Sequence, residues 1–595
     1  MDRQRKEVRE YKDWGEGQVF DVTRRTPRND TSYSAINMQV YDSGALGVRP
    51  WLKKWANTGF TPATNLNLSD DSCIQYRERT GVTGANPYGE LYIYSVSVSG
   101  GGAAAYYYDF QVGDWASASG IGSVTLPNAT AWATKRKGWG SAVDNKIGNS
   151  QADSLGPSDF IFLGQKKWDG SSATAIDWGN GSVLATITNS VFYRGRLWGW
   201  SQTEAGKNRL YYTDIDDYTD STSALQYIDI SASSGSVFIK GCWAVRDSLL
   251  INLSNDDWYA FTGTPDTGTL RYIGKYVSPS HGAAAVVLSN AVYFMAPNGD
   301  GVCMATPSGV DTVTHHNVKP WIGDYNWLEV ADYRAIASPD KNAIHLVCYD
   351  ATDTKGWLAI ERVNELWYLC QYGFGDFVTR YSQNLGQLRD CATVNYGNAW
   401  AFVTYGSYWS ESAGATLKEI ILFTRDITLN RPSRSDDLFS DKQEGAAIGG
   451  NFSVSNPAGG SIRLAPYGPD LGEEVRVSKV TVDFMYWKAD TSVYSDLEMQ
   501  LYIRTLNGPK AATRTSSAIY YDWDGFRNWN SDTTLPELDD TVNYRGAEGR
   551  YVYDVSMTNF YPDLFIELTE IRSLAINRII VEYEVRPDNL TTRDY

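Results

Sequence analysis

Histidine is nearly missing from this 595-residue chain: there are four, His281, His315, His316 and His345. That leaves little material for imidazole catalysis or zinc sites. His315 and His316 are adjacent in "TVTHHNVKP", and neighbours on a strand point to opposite faces, so they would not share one metal. Six cysteines, none in a CxxC spacing, exclude a disulfide framework or a zinc ribbon. Most of them sit in apolar strands such as "IHLVCYD" and "LWYLC", which reads as buried, reduced thiols and a reducing compartment. No run approaches the length of a membrane-spanning helix, and "MDRQRKEVREYKDWGEG" has no apolar core of a secretory signal, so neither anchor nor export is expected. Basic residues are also outnumbered, 53 against 70 acidic, for a formal net charge of −17. Such a chain lacks the Lys/Arg clusters that grip phosphates; the acid would simply keep a large protein soluble, or else form an acidic wall that lets a polyanion slide past.

Catalytic motifs are missing as well. HExxH, GxSxG, the Walker A pattern and a GxGxxG after a strand do not occur. The acidic loop Asp214, Asp216, Asp217, Asp220 lacks the Gly and Glu of a calcium-binding EF-hand. "SNDDWYAF" (Ser254 to Phe261) lacks the Gly and spacing of a sialidase Asp-box. With so many carboxylates, a glycoside-hydrolysing pair is not legible from sequence. The expectation is a non-enzyme without cofactor or metal.

What is present points to strands. Glycine is frequent, and Tyr and Trp outnumber Phe. Apolar strands with aromatics recur at Leu197–Trp200, Leu249–Ile251, Val292–Met295, Ile344–Val347 and Trp400–Val403. Their centres lie roughly 45 to 55 residues apart, the size of one four-stranded propeller blade. The predicted fold is all-β: an irregular β-propeller of about six or seven blades, then a C-terminal β-sandwich. The divisions expected are a polar arm or short helix over 1–30, free or packed on a neighbouring subunit, the propeller over 31–426, a polar linker over 427–451 and the sandwich over 452–595. In the last, "VRVSKVTVDF" and "AINRIIVEYEV" alternate apolar and polar residues. The aromatic loop with Trp523, Phe526 and Trp529 would suit a sugar ring or a protein partner.

Three segments, in order, resemble the tail nozzle (tail tubular protein B) family of short-tailed bacteriophages. Asn37, Gly44, Leu46, Arg49 and Pro50 in "INMQVYDSGALGVRPW" match its N-terminal turn, although Trp51 stands where a Gly is usual. Gly195, Arg196 and Leu197 match its "GRL" strand. Near the C-terminus "VRVSKVTVDF" and "IELTEIRSLAINRIIVEYEV" match its closing strands, with Ser573 in place of a Gly. The resemblance implies a structural virion protein of the tail, made in the host cytoplasm. It would form a homo-oligomeric, six-fold ring below the head-to-tail adaptor, touching other tail proteins and passing phage DNA without reading its sequence. A ring repeats one contact, so matching surfaces should lie on opposite flanks. Alternatives are a host-glycan-binding receptor protein of the virion and a propeller glycoside hydrolase.

Overall fold

The computed structural model describes residues 5–12, 14, 34–36, 38–40, 44–48, 53–54, 73–77, 90–95, 104–109, 114–117, 142–143, 161–163, 166–168, 173–179, 187, 189–200, 208–215, 217, 224–230, 237–280, 282–297, 301–313, 334–338, 343–349, 357–363, 366–372, 388–396, 399–406, 408–410, 415–417, 423–426, 460–464, 474–486, 499–505, 508–511, 513–520, 547–560, 565–571 and 574–586. Five short strands come first: β1 (Arg5–Lys12), β2 (Ser34–Ile36), β3 (Met38–Val40), β4 (Leu46–Val48) and β5 (Lys53–Lys54). Antiparallel units follow. Unit I holds β6 (Cys73–Arg77), β7 (Glu90–Ser95), β8 (Ala104–Asp109) and β9 (Asp114–Ser117). Unit II holds β10 (Ala142–Val143), β11 (Ile161–Leu163), β12 (Lys166–Trp168) and β13 (Ala173–Ala175). Unit III holds β14 (Asn189–Tyr193), β15 (Arg196–Trp200), β16 (Arg209–Tyr212) and β17 (Tyr227–Asp229). Unit IV holds β18 (Ile239–Val245), β19 (Ser248–Leu253), β20 (Asp257–Thr262) and β21 (Thr269–Lys275). Unit V holds β22 (Ala285–Leu288), β23 (Ala291–Met295), β24 (Val302–Thr306) and β25 (Gly309–Thr312). Unit VI holds β26 (Arg334–Ser338), β27 (Ala343–Tyr349), β28 (Trp357–Val363) and β29 (Leu366–Tyr372). Unit VII holds β30 (Leu388–Tyr396), β31 (Ala399–Gly406) and β34 (Phe423–Asp426), with the hairpin β32 (Tyr408–Ser410) and β33 (Ala415–Leu417) inserted.

These units are blades of one ring. The first strand of each lies beside the first strand of the next from β10 through β30, and β30 lies beside β6. The last blade is completed by β5, which pairs with β34 through Lys54↔Phe423 and Lys53↔Thr424. Closing the circle with a strand from the other end of the chain removes the open edge a linear array would leave. Among the described residues the propeller therefore has seven blades, the last shared between distant segments.

Blades stick to each other through apolar faces, which is why their inner strands read as unbroken apolar runs rather than alternating ones. Every residue of β19 and of β23 is buried. Trp198, Leu249, Ile251 and Phe261 join blades III and IV. Trp243 and Trp258 stack at 5.7 Å, and Trp258 and Phe294 at 5.9 Å, joining blades IV and V. Tyr293, Ile344, Ile360 and Trp367 join blades V and VI. Each such side chain contributes about 1.5–3 kcal/mol by leaving water. The two cysteines among them, Cys242 and Cys303, are buried thiols outside any disulfide, and burial pushes the Cys242 thiol well above its ordinary value.

A second body is built from β35 (Gly460–Leu464), β36 (Glu474–Tyr486), β37 (Gln500–Thr505), β38 (Gly508–Ala511), β39 (Thr513–Tyr520), β40 (Ala547–Phe560), β41 (Phe565–Ile571) and β42 (Leu574–Arg586). One sheet runs β3-β4-β42-β36-β40-β39, with β1 also on β42. The other runs β2-β35-β41-β37-β38 and continues from blade VI, because β2 pairs in parallel with β29 at Ile36↔Leu369. Residues from both sheets, among them Ile462, Val480, Leu501, Tyr551, Leu568 and Val581, share one core. This body is all-β, two sheets over one shared core.

The expected arm over 1–30 is corrected at its start. Arg5–Lys12 is neither a helix nor a solvated tail but a strand, antiparallel to β42 from Arg5↔Val585 to Lys12↔Arg578. The reason is its alternation: Tyr11 and then Trp14 enter the core, fully buried, while Lys6, Val8 and Lys12 stay outside. The start of the propeller is corrected too, since β2, β3 and β4 belong to the second body. The expected linker 427–451 lies outside the described residues. The described residues contain no helix long and apolar enough to cross a membrane.

Candidate assembly surface on the terminal sheet

The family-like positions fall into two places. Gly195 is the second residue of a two-residue turn in blade III, and Arg196 and Leu197 begin the second strand of that hairpin, with Tyr193 opposite Arg196. Arg194 and Gly195 both have positive φ, 52° and 74°, as a tight hairpin turn requires. Arg196 then reaches back: its guanidinium donates to the Thr213 carbonyl at 2.7 Å, meets Asp214 Oδ1 at 3.5 Å and lies over the Tyr212 ring at 5.5 Å. Leu197 is fully buried, and its N–H donates to Thr213 Oγ1 at 3.1 Å. The "GRL" triplet thus holds the blade's middle strands in register. Asp214, the first carboxylate of the acidic loop, accepts from Gln226 Nε2 at 2.9 Å as well as from Arg196. Asp216 and Asp220 lie outside the described residues. Among those described, no three His, Cys, Asp or Glu side chains converge as metal ligands.

Gly44 and Leu46 sit elsewhere, in the turn and strand that lead β3 into β4. Gly44 takes φ +80°, left-handed backbone that glycine adopts freely. Leu46 is buried in the core of the second body. The strand β4 pairs with the C-terminal strand through Leu46↔Ile576 and Gly47↔Ala575. The segments at opposite ends of the chain that carry the resemblance are therefore hydrogen-bonded neighbours in one sheet. Trp14 seals the junction, its indole N–H donating to the Ile576 carbonyl at 3.2 Å. Asn37, Arg49, Pro50 and the aromatics Trp523, Phe526 and Trp529 lie outside the described residues.

The outer face of this sheet carries charges in register. Lys6 faces Glu584 at 3.7 Å and Lys479 faces Glu582 at 3.2 Å. Across three strands, Asp483 is held by Arg550, at 2.5 Å and 3.0 Å, and by Arg578, which also reaches Glu10 at 3.1 Å. Each cross-strand pair is worth about 0.2–1 kcal/mol, and together they fix which residues stand opposite. Burial pushes the Asp483 carboxyl up, but the Arg550 and Arg578 guanidiniums outweigh it, so the group ionises below its ordinary range. Glu10 is lowered in the same way, chiefly by Arg578. Both carboxyls bind protons less readily folded than unfolded. Their stabilisation is therefore complete above the ordinary carboxylate value of about 4 and is lost as pH falls through the lowered folded values. Denaturation midpoints measured from pH 7 down to 3 should fall less steeply for Asp483→Asn than for the parent chain.

No family model and no curated protein match the chain. Among solved structures it is similar to the β-propeller domain of the Trilobed protease from Pyrococcus furiosus, with 8% identity over 60% of this chain and 96% of that one and a TM-score of 0.31. It is also similar to YCF48 bound to D1 peptide, with 9% identity over 57% and 89% and a TM-score of 0.30.

One functional-looking pair was not found by sequence reasoning. His345 on β27 stands opposite Glu361 on β28, Nδ1 to Oε1 at 2.7 Å, and both are buried. Counting outward from the β27–β28 connection would have needed the turn's length, which composition does not give. The pair braces the wall of blade VI.

Proposed function

We propose that this chain is a non-enzymatic structural protein of a phage virion tail, one subunit of a ring around the DNA exit channel. The observation that carries the reading is the pairing of β4 with β42, which makes one structural unit of the two terminal segments that resemble the tail nozzle family. In this reading the subunits form a six-fold ring in contact with the head-to-tail adaptor and other tail proteins. The chain's net charge of −17 suits a conduit that DNA crosses without sticking. Electron microscopy of the purified protein, with mass spectrometry of virions, tests it: ring-shaped particles and ring-like copy number are expected, and a chain absent from particles would end the proposal.

A second reading, a glycan-binding receptor protein, draws on exposed tyrosines of the propeller's outer strands. Tyr227, Tyr272 and Tyr276 are exposed, and Tyr272 packs on Tyr259 at 5.2 Å while donating to Asp257. Co-precipitation with host polysaccharide, lost in Tyr272→Ala, is its test.

A further inference from the structure

We propose that Lys240 is a site of acylation: its amine, at the junction of blades IV and V, takes the acyl group of an acyl phosphate, and the amide that forms suits the position better than the ammonium it replaces. A bulge sets the amine there. The strands β18 and β19 pair as Ile239↔Leu253 and then Gly241↔Asn252, so Lys240 is the extra residue and shares Asn252 with Gly241. Its backbone carbonyl lies 3.9 Å from where a side chain on Gly282 would begin, in the short helical turn Gly282–Ala284 that leads into β22. Lys240 is partly buried. Among the described residues its ammonium has neither an ion-pair partner nor a hydrogen bond, and the one charge that acts on it is Asp256.

Two buried polar atoms near it lack what an amide supplies. Asn252 is fully buried; its Nδ2 donates to Ser278 Oγ at 2.7 Å and to the Asp257 carbonyl at 3.4 Å, while its Oδ1 accepts no hydrogen bond. Ser280 follows Ser278 in the same connection toward blade V, and its Oγ is sealed from water without a partner. Such orphans cost free energy and are few in native structures. An ammonium offers donors only and carries a charge that burial disfavours. Burial here outweighs the pull of Asp256, so Lys240 gives up its proton below the ordinary lysine range. The uncharged amine is the nucleophile. Its lone pair attacks the acyl carbon, a C–N bond forms, the C–O bond to the phosphate breaks, and the amine's proton leaves with the released phosphate. The product amide has one N–H to donate to Asn252 Oδ1 and one carbonyl to accept from the Ser280 hydroxyl. Acylation thus removes a desolvated charge and answers both orphans.

This inference does not rest on the ring reading and stands or falls separately from it. Acetyl phosphate is the probe, added to the full chain at neutral pH, with labelled lysines read by peptide mass spectrometry. Lys240 should acetylate at least about threefold faster than Lys12 and Lys479, whose ammoniums are paired with Glu10 and Glu582. That lead should shrink as pH rises toward the ordinary lysine value of about 10, where every lysine loses its proton. It should vanish in urea, where the fold no longer shields the amine. Lys240→Gln, which brings a neutral amide to the position, should melt at a higher temperature than Lys240→Arg, which keeps the charge. Labelling of Lys240 at neutral pH no faster than that of Lys12 and Lys479, a lead that survives unfolding, or a Lys240→Gln chain that melts no higher than Lys240→Arg, overturns the proposal.

Discussion

Replacing Glu361 by Ala is expected to lower the stability of the propeller by about 3–5 kcal/mol, the upper range for removing one partner of a buried, hydrogen-bonded polar pair. Glu361 and His345 are opposed by strand register, 2.7 Å apart, with side-chain exposures of 1% and 8%. The strands that hold them pack Ile344, Leu346 and Ile360 against blade V, so the backbone cannot move to let water in without opening that interface. Alanine leaves the imidazole in a dry site with its acceptor removed. Glu361→Gln keeps the shape and an accepting oxygen, and should cost less, about 1–3 kcal/mol. The sharper comparison is His345→Leu with Glu361→Leu together. If the cost of the single changes is unpaired polarity rather than lost contacts, the double variant should be far less destabilised than the sum of the two. Urea denaturation followed by tryptophan fluorescence reads all of these variants. A cost below about 1 kcal/mol for Glu361→Ala would show that the site relaxes freely.

The same pair shows what the sequence can and cannot tell. The recurrence of "LWGW", "LLI" and "VYFM" announces the blades because each interface needs an apolar central strand. Runs such as Ser248–Leu253 are buried throughout because both of their faces meet a blade. In β36 the inward residues are Val475 and Val477, then Val480, Val482 and Phe484. The slip between them is a bulge at Ser478, and "VRVSKVTVDF" displays it as period two with one extra residue. What the sequence hides is pairing between distant segments. Nothing in "RKEVREYK" names β42 as its partner, and its mixture of charges reads as a solvated arm. Only the register shows Glu10 beside Arg578 and the Tyr583 hydroxyl donating to Glu7 at 2.6 Å. Nor does "LKK" announce that Lys53 and Lys54 close blade VII. Likewise "GRL" stands out as a motif, yet its residues are occupied with the turn and with Thr213.

Removing residues 1–54 is expected to leave a chain that does not fold. The segment supplies β1 and β4 to one edge of β42, places β2 between β29 and β35, and closes blade VII with β5. With it go Tyr11, Trp14, Ala35, Met38 and Leu46, each at most 4% exposed. Losing a buried Trp costs about 3–5 kcal/mol and a buried Leu or Met about 2–5, so the sum passes the roughly 5–15 kcal/mol that a whole domain commands. The bare edge of β42 would also offer thirteen residues of unpaired backbone to other chains, a route to aggregation. Trp14→Ala alone tests the argument at one point, with about 3–5 kcal/mol expected because both the ring and its hydrogen bond to Ile576 are lost. The shortened chain should collect as insoluble material, and a separately co-expressed 1–54 segment should return soluble protein. Recovery in trans is the decisive outcome, since a segment that merely tethers or solubilises works only when covalently attached. A soluble 55–595 chain that resists protease in its terminal sheet would show instead that β36, β40 and β42 fold without their N-terminal neighbours.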